Sequence, residues 1–172
     1  GYGGYNYNEK FWTQVVKDFV NYYKLEKNAK ILDVGCGKGF MLYDFKKQFP
    51  NFMIYGIDIS DYAIENSLED VRQNLKVGSC DDIPFKDNYF DLVISINTIH
   101  NLDKEGCARS LKEICRVSKK NKFIIVDAYS NDEEKKRMYS WNLTAKTIMH
   151  QEDWIKFFNE NNYDGDYFWF TP

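Results

Sequence analysis

The chain has 172 residues, of which 44% are hydrophobic and 17% aromatic, and its formal net charge at pH 7 is −3. A chain of this length most simply forms one domain and buries roughly 70% of the surface that the unfolded chain exposes. The acidic balance gives no basic footprint for nucleic acid, so we expect no nucleic-acid partner. No apolar run approaches the roughly 18 residues of a membrane span, so we expect no membrane partner either.

The cysteines, Cys36, Cys80, Cys107 and Cys115, are scattered along the chain. They form no C-x-x-C pair and lack the spacing of metal ligands, so we expect no metal site. Free thiols are typical of a reducing compartment, and no signal peptide is visible. We therefore predict a cytoplasmic protein.

Helical and strand patterns alternate along the chain. The first helix is predicted over 11–23, where apolar residues recur at helical spacing. The next predicted elements are, in order, strand 30–34, helix 41–49, strand 53–58, helix 61–73, strand 75–78, strand 88–96, helix 104–117 and strand 122–128. A helical lid within 131–149, a helix over 151–161 and a strand over 164–171 follow. This order predicts an α/β fold, a Rossmann-like doubly wound sheet that is mostly parallel and has helices on both faces.

The strongest functional signal lies between the first strand and the helix after it. The strand contains Asp33 near its end, and glycines then stand at positions 35, 37 and 39. Open α/β sheets bind ligands at the carboxyl end of this strand, where glycines let a ligand lie against the backbone. A dinucleotide fingerprint requires glycine where Phe40 stands, and the phosphate-binding loop G-x-x-x-x-G-K-[ST] is absent. The spacing and Asp33 together favour a zwitterionic nucleoside without phosphate.

These residues resemble the first motif of the class I methyltransferases that depend on S-adenosylmethionine (SAM), here Asp33-Val34-Gly35-Cys36-Gly37-Lys38-Gly39. The segment 77–93 is similar to the signature G-D-A-x-x-L-P-F…F-D-x-V of small-molecule methyltransferases, such as those of quinone biosynthesis. The resemblance implies SAM as cofactor, S-adenosylhomocysteine as product and methyl transfer to an O, N or C atom of a small acceptor. It also implies two strands after the fifth, the last antiparallel. Because the sequence has one clear strand there, we expect a reduced C-terminal hairpin.

The resemblance and the strand order assign the predicted cofactor contacts. They are Asp33, Gly35, Cys36, Gly37 and Gly39 around the methionine moiety, Asp58 at the ribose and Ile59 next to it in the chain, Ser79, Cys80, Asp81 and Ile83 at the adenine, and Ile96 and Asn97 beside the methionine. An acid after the second strand suits the ribose hydroxyls but does not distinguish SAM from NAD. The adenine-binding aspartate of the family falls on Ser79, a weaker acceptor, so Asp81 or Asp82 is a candidate substitute, with a solvated acidic turn as the alternative.

His100 is the predicted catalytic residue. It follows the fourth strand, where a histidine of the resembling family often points at the methyl-transfer centre. Its intrinsic pKa near 6.5 suits a general base at neutral pH, and a packing role is the alternative. Near the N-terminus, Tyr2 and Tyr5 are predicted to fold over the cofactor as a lid, with a frayed terminus as the alternative.

We therefore expect one domain, in which residues 1–28 form the lid and first helix, 29–128 the cofactor-binding core, and 129–172 the substrate-side cap and terminal strand. Three alternatives remain open: another SAM-dependent transfer, a SAM-binding module without catalysis, and a nicotinamide enzyme, which Phe40 disfavours. The sequence indicates neither the acceptor nor whether the chain is a monomer or a homodimer.

Overall fold

The computed structural model describes residues 5–172, so the predicted contact from Tyr2 lies outside the described residues. The strands are β1 Lys30–Val34, β2 Met53–Asp58, β3 Leu75–Val77, β4 Phe90–Ile96, β5 Ser118–Tyr129, β6 Met149–His150 and β7 Asp166–Phe170. The helices are α1 Glu9–Tyr22, α2 Phe40–Gln48, α3 Asp61–Glu65, α4 Glu69–Arg72, α5 Lys104–Val117, α6 Asp132–Trp141 and α7 Gln151–Glu160, with a 3₁₀ turn at Ile99–Asn101.

Several helices begin where a short polar side chain occupies the N-cap. Asn8, Ser60, Asp103 and Asn131 each accept a hydrogen bond from a backbone N–H of the first turn. The single helix predicted over 61–73 is instead the two short helices α3 and α4. The chain breaks between them at Leu68, whose backbone is extended at φ −60° and ψ 131°.

The sheet has the strand order β3-β2-β1-β4-β5, with β6 and β7 both paired to β5. Every strand pairing within the described part of the chain is parallel. The strand order changes direction between β1 and β4, and such a switch point opens a crevice at the carboxyl ends of the strands. The predicted α/β Rossmann-like fold is confirmed.

The C-terminal part of the sheet differs from the prediction. Two strands follow β5, not one, but β6 has only two residues and leads directly into α7. Helix α7 carries the chain back across the sheet, so β7 runs parallel to β5 and pairs with its residues 123–127. A hairpin requires a reversal of direction, and residues 5–172 contain no antiparallel strand at this end.

The core lies on both faces of the sheet. Along β1, Ile31 packs into a cluster with α1 and α2, whereas Leu32 and Val34 pack into a cluster with α5 and α7. Burial on both faces explains the nearly continuous apolar runs of the central strands. Within residues 5–172, no helix has the length and apolar character needed to cross a membrane.

Candidate active site

A cavity of about 440 Å³ lies at the carboxyl edge of the sheet. The loops that follow β1 to β4 supply most of its wall. The lining residues among the predicted contacts are Tyr5, Asp33, Gly35, Cys36, Gly37, Asp58, Ile59, Ser79, Cys80, Ile96 and Asn97. Their convergence follows from the topology, because the carboxyl ends of parallel strands meet at one edge.

The glycine turn after β1 is tied to the end of β2. The backbone N–H groups of Gly35 and Cys36 both donate to the Ile57 carbonyl, at 2.8 and 2.9 Å. All three glycines of the turn have positive φ, between 53° and 84°. The backbone of the turn is therefore held in a conformation that residues with a Cβ atom rarely adopt.

These glycines serve different neighbours. A Cβ on Gly35 would collide with the side chain of Thr98, and one on Gly39 would press against Val71 at 2.9 Å. Only Gly37 faces open space, with no atom within 4 Å of a Cβ placed there. Gly39, a predicted cofactor contact, does not line the cavity. Its missing side chain makes room for the core.

Asp58 is held by two backbone donors. One carboxylate oxygen accepts from the Gly37 N–H at 2.8 Å and the other from the Ser60 N–H at 2.9 Å. Each oxygen of an ionised carboxylate keeps a further lone pair. Asp58 thus lines the cavity with acceptor capacity left on both oxygens, which suits a pair of ligand hydroxyls.

Asp33 is an acid of the cavity whose pKa is strongly shifted. Its side chain is buried, and burial together with the nearby Asp58 raises the pKa of Asp33 to about 8. No cation among residues 5–172 offsets this shift. A cationic ligand group would compensate the buried carboxylate, so Asp33 fits an ammonium.

The loop after β3 places Ser79 and Cys80 at the cavity, but Asp81 and Ile83 do not line it. The Ile83 side chain is buried in the core, and its N–H donates to Glu113 Oε2 at 2.8 Å. Asp81 lies behind Ser79 and accepts a hydrogen bond from its hydroxyl. The structure therefore does not bring the predicted adenine contacts Asp81 and Ile83 to the cavity, because both are bonded to residues of α5.

The end of β4 carries an unusual backbone. Asn97 lies at φ 52°, a left-handed conformation that is uncommon outside glycine, and its N–H donates to the Ile125 carbonyl at 2.9 Å. Thr98 follows and covers Gly35. Ile96, Asn97 and Thr98 all line the cavity on the β4 side of β1, whereas Asp58 lines it on the β2 side.

His100 does not line this wall. Its ring is buried with 3% exposure, and Nδ1 accepts from the Asp127 backbone N–H at 2.9 Å. Burial lowers the pKa of His100 to about 4, so the ring is neutral at pH 7. The predicted catalytic residue thus lies away from the cavity wall in this structure. The 3₁₀ turn directs the ring toward β5, where its one basic nitrogen is already used.

The N-terminal segment reaches the mouth of the cavity. The Tyr5 hydroxyl is hydrogen bonded to that of Tyr62, and Lys38 Nζ lies 3.7 Å from the centre of the Tyr5 ring. Trp12 of α1 lines the wall, and its buried indole N–H finds no acceptor among the described residues. An unpaired buried donor at a cavity wall suits a ligand with an acceptor group.

Further lining residues escaped the sequence analysis. They are Trp12, Lys38, Phe40, Met41, Ala63, Gly78, Thr98, Asn101, Leu102 and Thr144. Thr98 and Asn101 lie in the loop after β4, and their closeness to Asn97 was an available signal. Thr144 has no such signal, because it reaches the cavity through a hydrogen bond of 2.9 Å from its hydroxyl to Asn101.

Several known proteins are similar to this chain in sequence or in fold. A family model described as a methyltransferase domain matches residues 25–163. A demethylmenaquinone methyltransferase of Symbiobacterium thermophilum is 30% identical over 153 residues, which is 84% of this chain and 60% of that protein. A tRNA (carboxymethyluridine(34)-5-O)-methyltransferase of Arabidopsis thaliana is 28% identical over 134 residues, or 76% of this chain and 31% of that protein.

The solved structure of the YcgJ protein from Bacillus subtilis shares the fold. Its TM-score is 0.69 at 17% identity, with 86% of this chain and 67% of that chain covered. The chain thus spans between about a third and three fifths of the two curated relatives named above. Because the family model covers most of the chain, this chain belongs to the methyltransferase-domain family and is a class I SAM-dependent methyltransferase domain, with SAM as its cofactor.

Proposed function

We propose that this chain transfers the methyl group of SAM to a nucleophilic atom of a small molecule. The observation that carries the proposal is the convergence, in one cavity, of the glycine turn, Asp33, Asp58 and the Ser79–Cys80 segment. Each of these offers the kind of group that a different part of the cofactor requires.

The residues suit the cofactor along the length of the cavity. The ammonium would pair with Asp33, while the ribose hydroxyls would bind the remaining lone pairs of Asp58. Ser79 and Cys80 would meet the adenine edge. Ile59, whose side chain is 73% exposed at this wall, would cover a face of the ring. Ile96 and Asn97 would contact the methionine moiety through the main chain.

We place the acceptor among the lining residues that the cofactor contacts leave over, in particular Trp12, Thr98, Asn101, Leu102 and Thr144. These side chains are neutral, so they suit a small acceptor without a strong charge. When bound, SAM supplies an electrophilic methyl group. The protein's own contribution is then to position the acceptor and exclude water. With His100 away from the wall, we propose an acceptor whose nucleophile needs no histidine base.

Two observations favour a small acceptor over a macromolecule. The net charge of −3 gives no electrostatic footprint for RNA. The demethylmenaquinone methyltransferase is 30% identical over 84% of this chain, whereas two ribosomal protein L11 methyltransferases of Thermotoga neapolitana, which match over 83% of it, are 26% and 28% identical. We therefore place the acceptor among quinol-like or other small aromatic compounds, with no nucleic-acid or membrane partner.

We further propose that the chain is one domain with the parts 1–28, 29–128 and 129–172, and that the first part closes over the cofactor. Tyr5 supports the lid, because it already lies at the cavity mouth against Lys38.

The cysteines at 36, 80, 107 and 115 are free thiols, which favours the cytoplasm, a reducing compartment.

Methyl transfer can be tested with SAM labelled in the methyl group. The chain is incubated with a panel of small phenols, quinols, amines and thiols, and in parallel with tRNA and a ribosomal protein fraction. We expect label in a small aromatic acceptor, and loss of that label with Asp58→Ala. Label only in RNA or protein would contradict the proposed acceptor class. Tight SAM binding without label in any arm would favour the alternative, a binding module.

A further inference from the structure

We propose that Asp81 and Arg109 fix the hydroxyl of Ser79 as a hydrogen-bond acceptor, so that the site selects an adenine base over a hypoxanthine base. This inference rests on the proposed function, because the base belongs to the cofactor. Asp81 and Arg109 are positioning residues here, acting through Ser79.

The three side chains form a chain of hydrogen bonds that leads away from the cavity. Ser79 lines the cavity, and its hydroxyl donates to Asp81 Oδ1. The other carboxylate oxygen, Asp81 Oδ2, accepts from Arg109 Nη2 at 2.8 Å and from Arg109 Nε at 3.2 Å. Neither Asp81 nor Arg109 lines the cavity, so both act from behind Ser79.

Sheet order places Ser79 at the base rather than at the sugar. Asp58 ends β2 and suits the ribose, and β3 is the next strand outward from β2 and from β1. A nucleoside that lies across these strand ends with its ribose at Asp58 therefore brings its base to the loop that follows β3.

A serine hydroxyl by itself discriminates poorly between bases. It carries one donor hydrogen and two acceptor lone pairs, and it rotates to suit its partner. It can accept from the exocyclic amino group of adenine or donate to the carbonyl of hypoxanthine. Which of the two it prefers depends on where its hydrogen is held.

Asp81 decides this orientation. The hydrogen bond from Ser79, followed by the Arg109 guanidinium, lowers the pKa of Asp81, so the carboxylate is ionised at neutral pH and only accepts. The Ser79 hydroxyl hydrogen is therefore bonded to Asp81, and the lone pairs of the hydroxyl oxygen remain for the ligand. An amino group satisfies those lone pairs, whereas a carbonyl oxygen would face them without a hydrogen between.

The loop does not depend on Asp81 for its position. Glu113 Oε2 accepts from the Ile83 N–H at 2.8 Å, and Arg116 Nη2 donates to the Ile83 carbonyl at 2.9 Å. These contacts from α5 hold the loop beyond Asp81. Replacing Asp81 should therefore free the Ser79 hydroxyl without displacing the loop.

The test is calorimetry of the wild-type chain and its variants with S-adenosylhomocysteine and with S-inosylhomocysteine, in which a carbonyl replaces the adenine amino group. The measured quantity is the ratio of the two Kd values. We expect Asp81→Ala to reduce the preference for the adenine ligand about tenfold, the size of one hydrogen bond. Asp81→Asn, which keeps an acceptor oxygen, should retain part of the preference.

Asp87→Ala is the matched control, because it removes the same charge from the same loop at its contact with Arg116. It should keep the wild-type ratio. Ser79→Ala should lose as much preference as Asp81→Ala, and adding Asp81→Ala to it should change the ratio no further. A ratio unchanged by Asp81→Ala or by Ser79→Ala would overturn the inference. Failure of S-adenosylhomocysteine to bind the wild-type chain would instead overturn the proposed function, and the inference with it.

Discussion

Asp33 should make cofactor binding release a proton. In the free protein, burial and Asp58 raise the pKa of Asp33 to about 8, so the carboxyl is mostly protonated at pH 7. Pairing with a ligand ammonium requires the ionised form. With a pKa of about 8, binding at pH 7 should release about 0.9 proton, and the affinity should rise about tenfold from pH 6 to pH 7.

The assay is isothermal titration calorimetry with S-adenosylhomocysteine, at pH 6 and pH 7, in pairs of buffers that differ in ionisation enthalpy. The difference between buffers gives the number of protons released. Asp33→Asn should release no proton through this group and should bind with an affinity that is flat over this range. Asp127→Asn is the matched control, because burial raises the pKa of Asp127 to about 6 but this residue does not line the cavity.

The same pKa has a consequence for stability, with a definite sign. The folded state holds the Asp33 proton over the range from its unfolded pKa near 4 to about 8, whereas the unfolded state has released it. The free energy of unfolding should therefore fall as pH rises through this range, by up to about 1.4 kcal/mol per pH unit from this group.

The calorimetry also has an outcome that refutes the reasoning. If S-adenosylhomocysteine binding releases no proton in the wild-type chain, or keeps its pH dependence in Asp33→Asn, the assignment of Asp33 to the ammonium is wrong.

Three further predictions follow from the contacts of the cavity. Gly37→Ala should cost only about 1 kcal/mol of stability, the strain of positive φ, yet weaken S-adenosylhomocysteine binding, whereas Gly35→Ala should cost about 3 kcal/mol or more because its Cβ meets Thr98. Chemical denaturation and calorimetry separate the two effects, and equal stability losses would contradict the contact. His100→Ala should lower the free energy of unfolding by about 2 kcal/mol or more and leave turnover of the folded fraction within twofold, so a large loss of turnover at unchanged stability would restore a catalytic role. Trp12→Phe removes an indole N–H that lacks an acceptor among the described residues, so it should leave the stability of the free chain unchanged. It should weaken binding of the methyl acceptor about tenfold, and an unchanged affinity would show that the acceptor does not use this donor.

Much of the core could be predicted because local signals agree with the global fold. The bounds of β1 and α5 match the predicted ones, since apolar runs end at an acid and glycines in one case and an Asp103 N-cap begins the helix in the other. That Asp58 and Ser79 line the same cavity was also predictable. It requires only that parallel strands share a carboxyl edge.

Other features depend on tertiary packing that the sequence does not display. The direction of the His100 ring is set by the 3₁₀ turn, in which Asn101 lines the cavity while the ring is bonded to the backbone of β5. Thr144 reaches the wall only because the segment after α6 folds over that turn, where the His100 carbonyl accepts from the N–H groups of Lys146 and Thr147 at 3.0 Å. The neighbour of Gly35 was likewise hidden. A glycine signals close approach but does not identify what approaches.

The central claim is that SAM occupies the cavity between the glycine turn, Asp58 and Ser79. A titration of the ¹⁵N-labelled chain with S-adenosylhomocysteine, followed by backbone amide NMR, tests it most directly. The account predicts saturable shifts concentrated at the amides of Gly37, Asp58 and Ser79, with little change along α7 on the covered face of the sheet. Saturation without shifts at these three amides, or no binding at millimolar ligand, would contradict it.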